Sequence, residues 1–379
     1  MRRFIPALLL LTALFVSPSK AEAAPNAVPD SLEADGLSDA VITRRLKEMN
    51  SFISIPYNAT VRNNIILYAH ATPLSMGRIM GLAEYYLPIF EEAMDRYGLP
   101  LELKYLPVIE SKLDPAAVSP AGAKGLWQFI YTTAKRYGLK ITSYEDERLD
   151  VVKSTDAAAR YLRDSYKELG DWVLAICAYN CGSGNVKKAI QRAGSRRFWD
   201  IYPYLPRETR GYVPAFVGAM YAIRWHKEYG IVPVPAELPV AVDTFEIKQN
   251  LHFKQIHEVA GIPVATLREV NPQYIRDIVP GDEGTCILMI PEEWTSAFVA
   301  AEGPKLYAHR AAQLLNAQKP LPSAPASKDN FCTIYVVKEG DNLYNIAKLY
   351  PGVSARRISE YNNLPNDSLR PGMKLKIPR

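Results

Sequence analysis

Up to Tyr229, apolar residues recur mostly at three- and four-residue spacing, the period of one helical face. The clearest run is Met76–Tyr97, where Ile79, Leu82, Tyr86, Ile89, Phe90 and Met94 make a single stripe. Gly98-Leu99-Pro100 predicts its end. Helical spacing also leads into it from Asp39. A further helix is predicted over Leu101–Glu110, with Pro107 marking a bend or boundary. Ser154–Leu169 predicts another, with Ser154 or Thr155 as the N-cap. Trp172–Tyr179, Val186–Arg192 and Pro214–Tyr229 complete an all-helical region.

The pattern changes at Ile231-Val232-Pro233-Val234-Pro235, which is helix-incompatible and predicts an extended boundary. Residues 243–291 then read strand, helix, helix, strand: Phe245–Ile247, Phe253–Val259, Val264–Val270 and Ile287–Ile290. The order repeats over 331–379, with Tyr335–Val337, a helix opened by Gly340-Asp341-Asn342-Leu343 and running through Leu349, Ala355–Asn362 and Leu375–Pro378. Residues 25–40 predict a flexible leader, and 301–330, rich in Ala, Pro and Lys, a flexible linker. The expected fold class is mainly α, a helical domain followed by small βααβ modules.

At the N-terminus Arg2 and Arg3 precede the apolar run Phe4–Val16 and the small-residue exit Ala21-Glu22-Ala23-Ala24. This predicts a cleavable secretory signal over residues 1–24, since the run is shorter than the roughly 20 residues of a bilayer span. No cysteine lies at the exit, so lipid anchoring is not expected. The chain carries a formal charge of +5; the leader holds Arg2, Arg3, Lys20 and Glu22, so its removal leaves +3. That mild basicity suits an anionic polymer. Nucleic-acid binding would need a clustered basic stripe, and none is seen. Cys177, Cys181, Cys286 and Cys332 permit disulfides in an exported chain. The four-residue spacing of the first two on a helix suits disulfide geometry poorly, and no histidine or third cysteine is nearby. Free cysteines, no metal and no cofactor are expected.

Glu110 is the candidate for chemistry. Leu106, Val108 and Ile109 precede it and Leu113 follows, so it is expected to be half-desolvated, which raises a carboxyl pKa and keeps a proton available near neutral pH. Glycine-rich turns follow in Gly122-Ala123-Lys124-Gly125-Leu126-Trp127-Gln128-Phe129, and Ala178-Tyr179-Asn180-Cys181-Gly182-Ser183-Gly184 lies further on. Trp, Gln, Tyr and Asn are residues that grip sugars. Glycosidic cleavage needs a proton for the leaving oxygen and stabilisation of an oxocarbenium-like transition state.

Glu110-Ser111, Ser119, the Gly122–Phe129 run, Tyr179-Asn180 and Glu208-Thr209-Arg210-Gly211-Tyr212-Val213-Pro214 together resemble the soluble lytic transglycosylase family. The likeness is to its membrane-bound lytic transglycosylase D branch, and it covers roughly residues 40–230 plus the C-terminal repeat. The resemblance implies a lysozyme-like helical catalytic domain over 25–235 with an N-terminal helical extension. It also implies a degenerate LysM-like module over 243–291 and a LysM module over 331–379. In the earlier module Lys248-Gln249-Asn250-Leu251 replaces the Gly-Asp-x-Leu opening, and Asn271-Pro272 stands where Asn362-Asn363 stands. The implied activity is cleavage of the β-1,4 bond between N-acetylmuramic acid (MurNAc) and N-acetylglucosamine (GlcNAc) in peptidoglycan, with a 1,6-anhydro-MurNAc product. Glu110 would act as acid and then as base, and the sugar's N-acetyl group as nucleophile.

The same likeness implies that Ser119, Gln128, Trp127, Tyr179, Asn180 and Glu208 bind substrate. Each has a plainer alternative. Ser119 could cap a helix before Pro120, Gln128 could cap local backbone, and Trp127 could be core, as is favoured for Phe129. Tyr179-Asn180 could be turn chemistry and Glu208 a surface ion pair; Tyr212 is expected to pack nearby. Glu147 and Arg148 read as a charged loop fixing the fold. Gly340, Asp341, Asn342, Leu343, Asn362 and Leu364 are the implied glycan-binding residues of the last module. The implied partner is the peptidoglycan strand, and the implied location is the periplasm or cell envelope. A muramidase hydrolysing the same bond and a non-catalytic wall-binding protein are the alternatives.

Overall fold

The computed structural model describes residues 37–53, 56–239, 241–315, 331–350, 353–362, 364 and 369–378. The expected signal over 1–24 and the linker beyond residue 315 lie outside them. The described residues form two compact units, divided near Ala241, with Thr142–Glu145 grouped in the second.

The first unit is helical. Helix α1 (Asp39–Glu48) is capped by Ser38, and α2 (Ala59–Ile66) by Asn58, whose Oδ1 accepts from the amides of Thr60 and Val61 at 2.9 and 3.1 Å. A π-helical turn at Leu67–Ala71 leads to α3 (Pro73–Arg96). Helix α3 buries Met76, Ile79, Met80, Ala83, Tyr86, Phe90 and Met94 on the stripe its sequence marks. The extended segment after Ile231 lies along this helix, with the Val234 amide donating to the Gly77 carbonyl at 2.9 Å. A Cβ on Gly81 would sit 1.7 Å from the Val234 carbonyl oxygen, so only glycine allows that approach.

A 3-10 turn at Leu101–Tyr105 runs into α4 (Leu106–Ser111), so the boundary expected at Pro107 falls at the start of α4. Helices α5 (Tyr131–Arg136), α6 (Val151–Leu169), α7 (Trp172–Cys181), α8 (Ser183–Ala193), α9 (Phe198–Ile201) and α10 (Arg207–Arg224) follow. Two starts differ from expectation. Helix α6 is capped by Asp150, which accepts from the Lys153 amide at 2.9 Å; Ser154 and Thr155 are buried inside it. Helix α10 begins at Arg207 and tolerates Pro214 in its interior, where proline withholds one backbone bond.

In the second unit β1 (Val242–Ile247), β2 (Asn250–His252), α11 (Phe253–Ala260), α12 (Val264–Val270), β3 (Ile278–Pro280) and β4 (Cys286–Pro291) form the first module. Strands β1 and β4 pair antiparallel from Val242↔Pro291 to Ile247↔Cys286. The short pair β2–β3 is an addition the sequence pattern did not show. Helices α13 (Glu292–Ala301), α14 (Pro304–Ala308) and α15 (Ala311–Leu314) extend the module. They correct the linker expected from residue 301. Leu306 is fully buried, and Gln255 Nε2 donates to the carbonyls of Leu306, Tyr307 and His309, which ties this stretch down.

The last module has β5 (Phe331–Val336), α16 (Leu343–Lys348), α17 (Ala355–Tyr361) and β6 (Lys374–Pro378), with β5 and β6 antiparallel. One asparagine clamp recurs in both modules. Asn271 donates to the carbonyls of Leu267 and Met289 and accepts from the Met289 amide at 2.8 Å. Asn362 does the same with Ile358 and Lys376, accepting from the Lys376 amide at 2.7 Å. This repeat makes 243–291 a true structural counterpart of the last module. The helix opening aligns His252-Phe253 with Asn342-Leu343, two residues later than the Asn250-Leu251 match expected from sequence. In both modules the residue before the helix is its side-chain N-cap.

Candidate active site

Glu110 sits in the last turn of α4, behind the buried Leu106, Pro107 and Val108. Lys112 and Leu113 stop the helix with successive left-handed conformations, φ 57° and 61°. Neither is glycine, and each such residue costs on the order of 1 kcal/mol. Leu113 is held there by complete burial and by its N–H, which donates to the Pro107 carbonyl at 3.3 Å. The Ser111 hydroxyl ties the same turn to the Leu126 carbonyl at 2.9 Å. Strain stored beside a carboxyl and fastened by packing is a frequent property of active sites.

The loop after α4 folds back as two tight turns. Ser119 accepts from the Ala123 amide at 3.1 Å while its own amide donates to the Ala123 carbonyl. Ser119 therefore closes a turn rather than capping a helix. Lys124 and Phe129 exchange backbone bonds at 3.2 Å, and the turn between them requires Gly125 at φ 78°. A Cβ there would lie 2.0 Å from the Arg148 carbonyl oxygen. Gln128 adopts φ 50° and spends its amide hydrogens on the carbonyls of Ala117 and Gly125, at 3.2 and 2.8 Å. Arg148 grips Asp146 with two bonds and donates to the Gly122 carbonyl at 2.9 Å. Burial works against the Asp146 charge, yet Arg148 and Lys124 hold its pKa below the usual value. The Glu147 side chain accepts from the Lys140 amide and pairs with Lys153. Glu147 and Arg148 thus have the structural part their sequence context implies.

The loop, the end of α7 and the start of α10 enclose a cleft of about 560 Å³. Glu110, Ser119, Gln128, Tyr179, Asn180 and Glu208 all line it, so six of the seven residues named from sequence meet in one place. Trp127 does not. It is fully buried, donates its indole N–H to Thr155 Oγ1 at 2.8 Å and packs edge-on to Phe90, so it is core. Tyr179 lines the cleft, but its hydroxyl donates to the Trp127 carbonyl at 2.8 Å, not to Glu110. Glu208 is exposed on the cleft wall, in the first turn of α10.

The partner of Glu110 is Tyr212, whose hydroxyl donates to Oε1. Burial pushes the Glu110 carboxyl up to about 7, against the opposing pull of that hydrogen bond. Tyr212 is buried beside it and its own pKa is raised well above the ordinary value by burial and by the Glu110 charge. Sequence reading gave Tyr212 only packing; its place one helical turn after Glu208, on the same face of α10, was the available signal. Cys181 and Tyr161 also line the cleft without having been anticipated. Cys177 and Cys181 are free thiols. Among the described residues no cluster of three or more His, Cys, Asp or Glu is placed to hold a metal.

In the last module the residues named for glycan binding are largely committed to the fold. Leu343 and Leu364 are buried in its core. Asp341 accepts from the Lys338 amide at 2.7 Å and the Tyr335 hydroxyl at 2.8 Å. Asn342 caps α16, and Asn362 is the clamp described above. Gly340 takes φ 86° in the turn before α16. The side chains of Asn362, Leu343 and Leu364 thus support the module's fold, which leaves backbone groups as the main polar surface there.

Residues 88–202 match the family model of the transglycosylase SLT domain. Residues 241–305 match the LysM-like domain of lytic transglycosylase MltD, and residues 335–378 match the LysM domain. Membrane-bound lytic murein transglycosylase D of Escherichia coli is 32% identical over 300 residues, covering 78% of this chain and 64% of its own length. The chain thus spans just under two thirds of that relative. Membrane-bound lytic murein transglycosylase F of Shewanella sediminis is 32% identical over 119 residues, 29% of this chain and 24% of that protein. The 70 kDa soluble lytic transglycosylase of Escherichia coli aligns over 40% of this chain and 27% of its own, with a TM-score of 0.33 and 23% identity. Domain by domain, then, this chain resembles the soluble lytic transglycosylases in their transglycosylase D branch, an SLT domain followed by an MltD-type LysM-like domain and a LysM domain.

Proposed function

We propose that this protein is a peptidoglycan lytic transglycosylase. It would cleave the MurNAc–GlcNAc β-1,4 bond and leave a 1,6-anhydro-MurNAc end. The observation that carries the reading is a carboxyl raised to about 7 inside a cleft where the other sequence-marked polar residues converge. Such an acid is protonated for a large fraction of the time at neutral pH, and once ionised it is a competent base. Glu110 would protonate the glycosidic oxygen. It would then take the proton from the muramic O6 hydroxyl as that oxygen attacks the anomeric carbon, which returns the acid to its starting state without consuming water. The sugar's own acetamido oxygen would stabilise the anomeric carbon between the two steps. Tyr212 would hold the carboxyl in one orientation throughout. Proton transfer of this kind requires no cofactor.

The presence of a second carboxylate on the cleft wall, Glu208, favours one alternative, a muramidase that hydrolyses the same bond. Product analysis separates the two: anhydro-muropeptides support the transglycosylase and reducing MurNAc ends the hydrolase. The LysM domain would hold the enzyme on insoluble wall and raise its local concentration there. We place the protein in the cell envelope, reached through the signal pattern of residues 1–24. No described helix is long and apolar enough to cross a membrane. Release of soluble muropeptides from purified sacculi by the wild type, and its loss in Glu110→Gln, tests the assignment.

A further inference from the structure

We infer that Thr209 is a positioning residue: its buried hydroxyl fixes the side-chain amide of Asn180 so that the NH₂ group is presented to the cleft as a donor for an oxygen of the bound sugar chain. The inference rests on the reading of the cleft as a glycan site. Thr209 is fully buried, so its hydroxyl has no water to bond and must find its partner inside the protein. That partner is Asn180 Oδ1, at 2.7 Å. Asn180 is exposed on the cleft wall, in the last turn of α7 just before Gly182 ends the helix at φ 80°. An amide whose oxygen is engaged on one side carries its two N–H donors on the other. Without this tie an exposed asparagine samples both amide orientations, and the wrong one offers a carbonyl oxygen where a donor is needed.

Thr209 and Tyr212 are three residues apart on α10, so one helical face supplies a hydroxyl to the acid and another to the amide. The start of α10 therefore sets two parts of the cleft at once. Loss of the Thr209 hydroxyl should affect how sugar is held and leave the titration of Glu110 alone.

The test uses the full chain carrying Glu110→Gln, with affinity for a GlcNAc hexamer measured by calorimetry beside the thermal midpoint; binding by the LysM domain is common to every variant and is fitted as a separate class of site. Thr209→Val should weaken binding about tenfold, the scale of one lost hydrogen bond of this kind. Thr209→Ser should restore it, and Thr209→Val should add nothing once Asn180→Ala is present. Asn180→Asp keeps the acceptor for Thr209 but loses the NH₂ group, so it should bind as weakly as Thr209→Val without disturbing the buried position. The inference is overturned by Thr209→Val binding like its parent, by Thr209→Ser binding as weakly as Thr209→Val, by additive losses in the double variant, by unchanged affinity in Asn180→Asp, or by a parent that binds no hexamer. With Glu110 restored, Thr209→Val should raise KM and keep the parent's pH profile; a fall confined to kcat also overturns it. Should the wild type release only reducing ends, the transglycosylase reading fails by itself, and the binding cycle still judges Thr209.

Discussion

Tyr212 donates its phenolic hydrogen to Oε1 of Glu110, joining α10 to α4 across 102 residues of chain. The bond favours the ionised carboxyl, while burial favours the protonated one, and burial prevails. Because the first chemical step needs the proton, activity should fall as pH rises through about 7. Tyr212→Phe removes the only opposing influence identified, so the descending limb of the pH profile should move to higher pH. At the same time kcat should drop by on the order of tenfold to a hundredfold as the carboxyl loses its orientation. Initial rates on sacculi across pH check both. A limb that moves downward contradicts the assigned direction.

The raised carboxyl also couples to stability. Folded Glu110 holds its proton up to about 7 and unfolded Glu110 only to about 4.5, so its favourable contribution is complete below about 4.5 and is lost as pH rises through about 7. Glu110→Gln removes the charge and nearly keeps the shape. It should stabilise the protein by about 3 kcal/mol at pH near 8, and by almost nothing at pH near 4. Thermal melts at the two pH values provide the measurement. Equal shifts at both would show that the carboxyl is not held protonated by burial.

The loop that carries Ser119 and Gln128 depends on close backbone contact at Gly125. Gly125→Ala places a methyl group 2.0 Å from the Arg148 carbonyl oxygen, at a φ of 78° that suits glycine. It should cost more than about 2 kcal/mol and displace the cleft wall. Chemical denaturation and activity should decline together. Alanine at Gly138, where an added Cβ meets nothing within 4 Å, isolates the conformational part of the loss.

Trp127 separates packing from sugar contact. As core, Trp127→Phe should lose about 2–3 kcal/mol of stability through the cavity it leaves, and leave KM within about twofold. A large rise in KM with an unchanged melting temperature would return the indole to the substrate.

The sequence made the long helices and the module strands legible because their periods are strong: α3 and α12 fall where their stripes place them. It made the cleft legible because the motif residues are few and ordered. What it hid has physical causes. Strands of three residues, β2 and β3, carry too short a pattern to show. The stretch from Ala301 to Leu314 has linker-like composition, and only the burial of Leu306 and the carbonyls bound by Gln255 show that it is packed. Asp150, Ser154 and Thr155 carry the same capping chemistry within five residues, so side-chain type alone does not place the start of α6. The direction of each side chain within the motifs was not legible at all. Spacing alone could not say that Tyr212 reaches Glu110 while Tyr179 turns to the Trp127 carbonyl, or that Trp127 faces inward.

The most direct test is digestion of purified sacculi in heavy-oxygen water, with the released muropeptides identified by mass. If a single acid at Glu110 hands the leaving oxygen a proton and then recovers one from the muramic O6, the new ends are 1,6-anhydro-MurNAc and carry no heavy oxygen. Reducing MurNAc ends labelled with heavy oxygen would contradict the account.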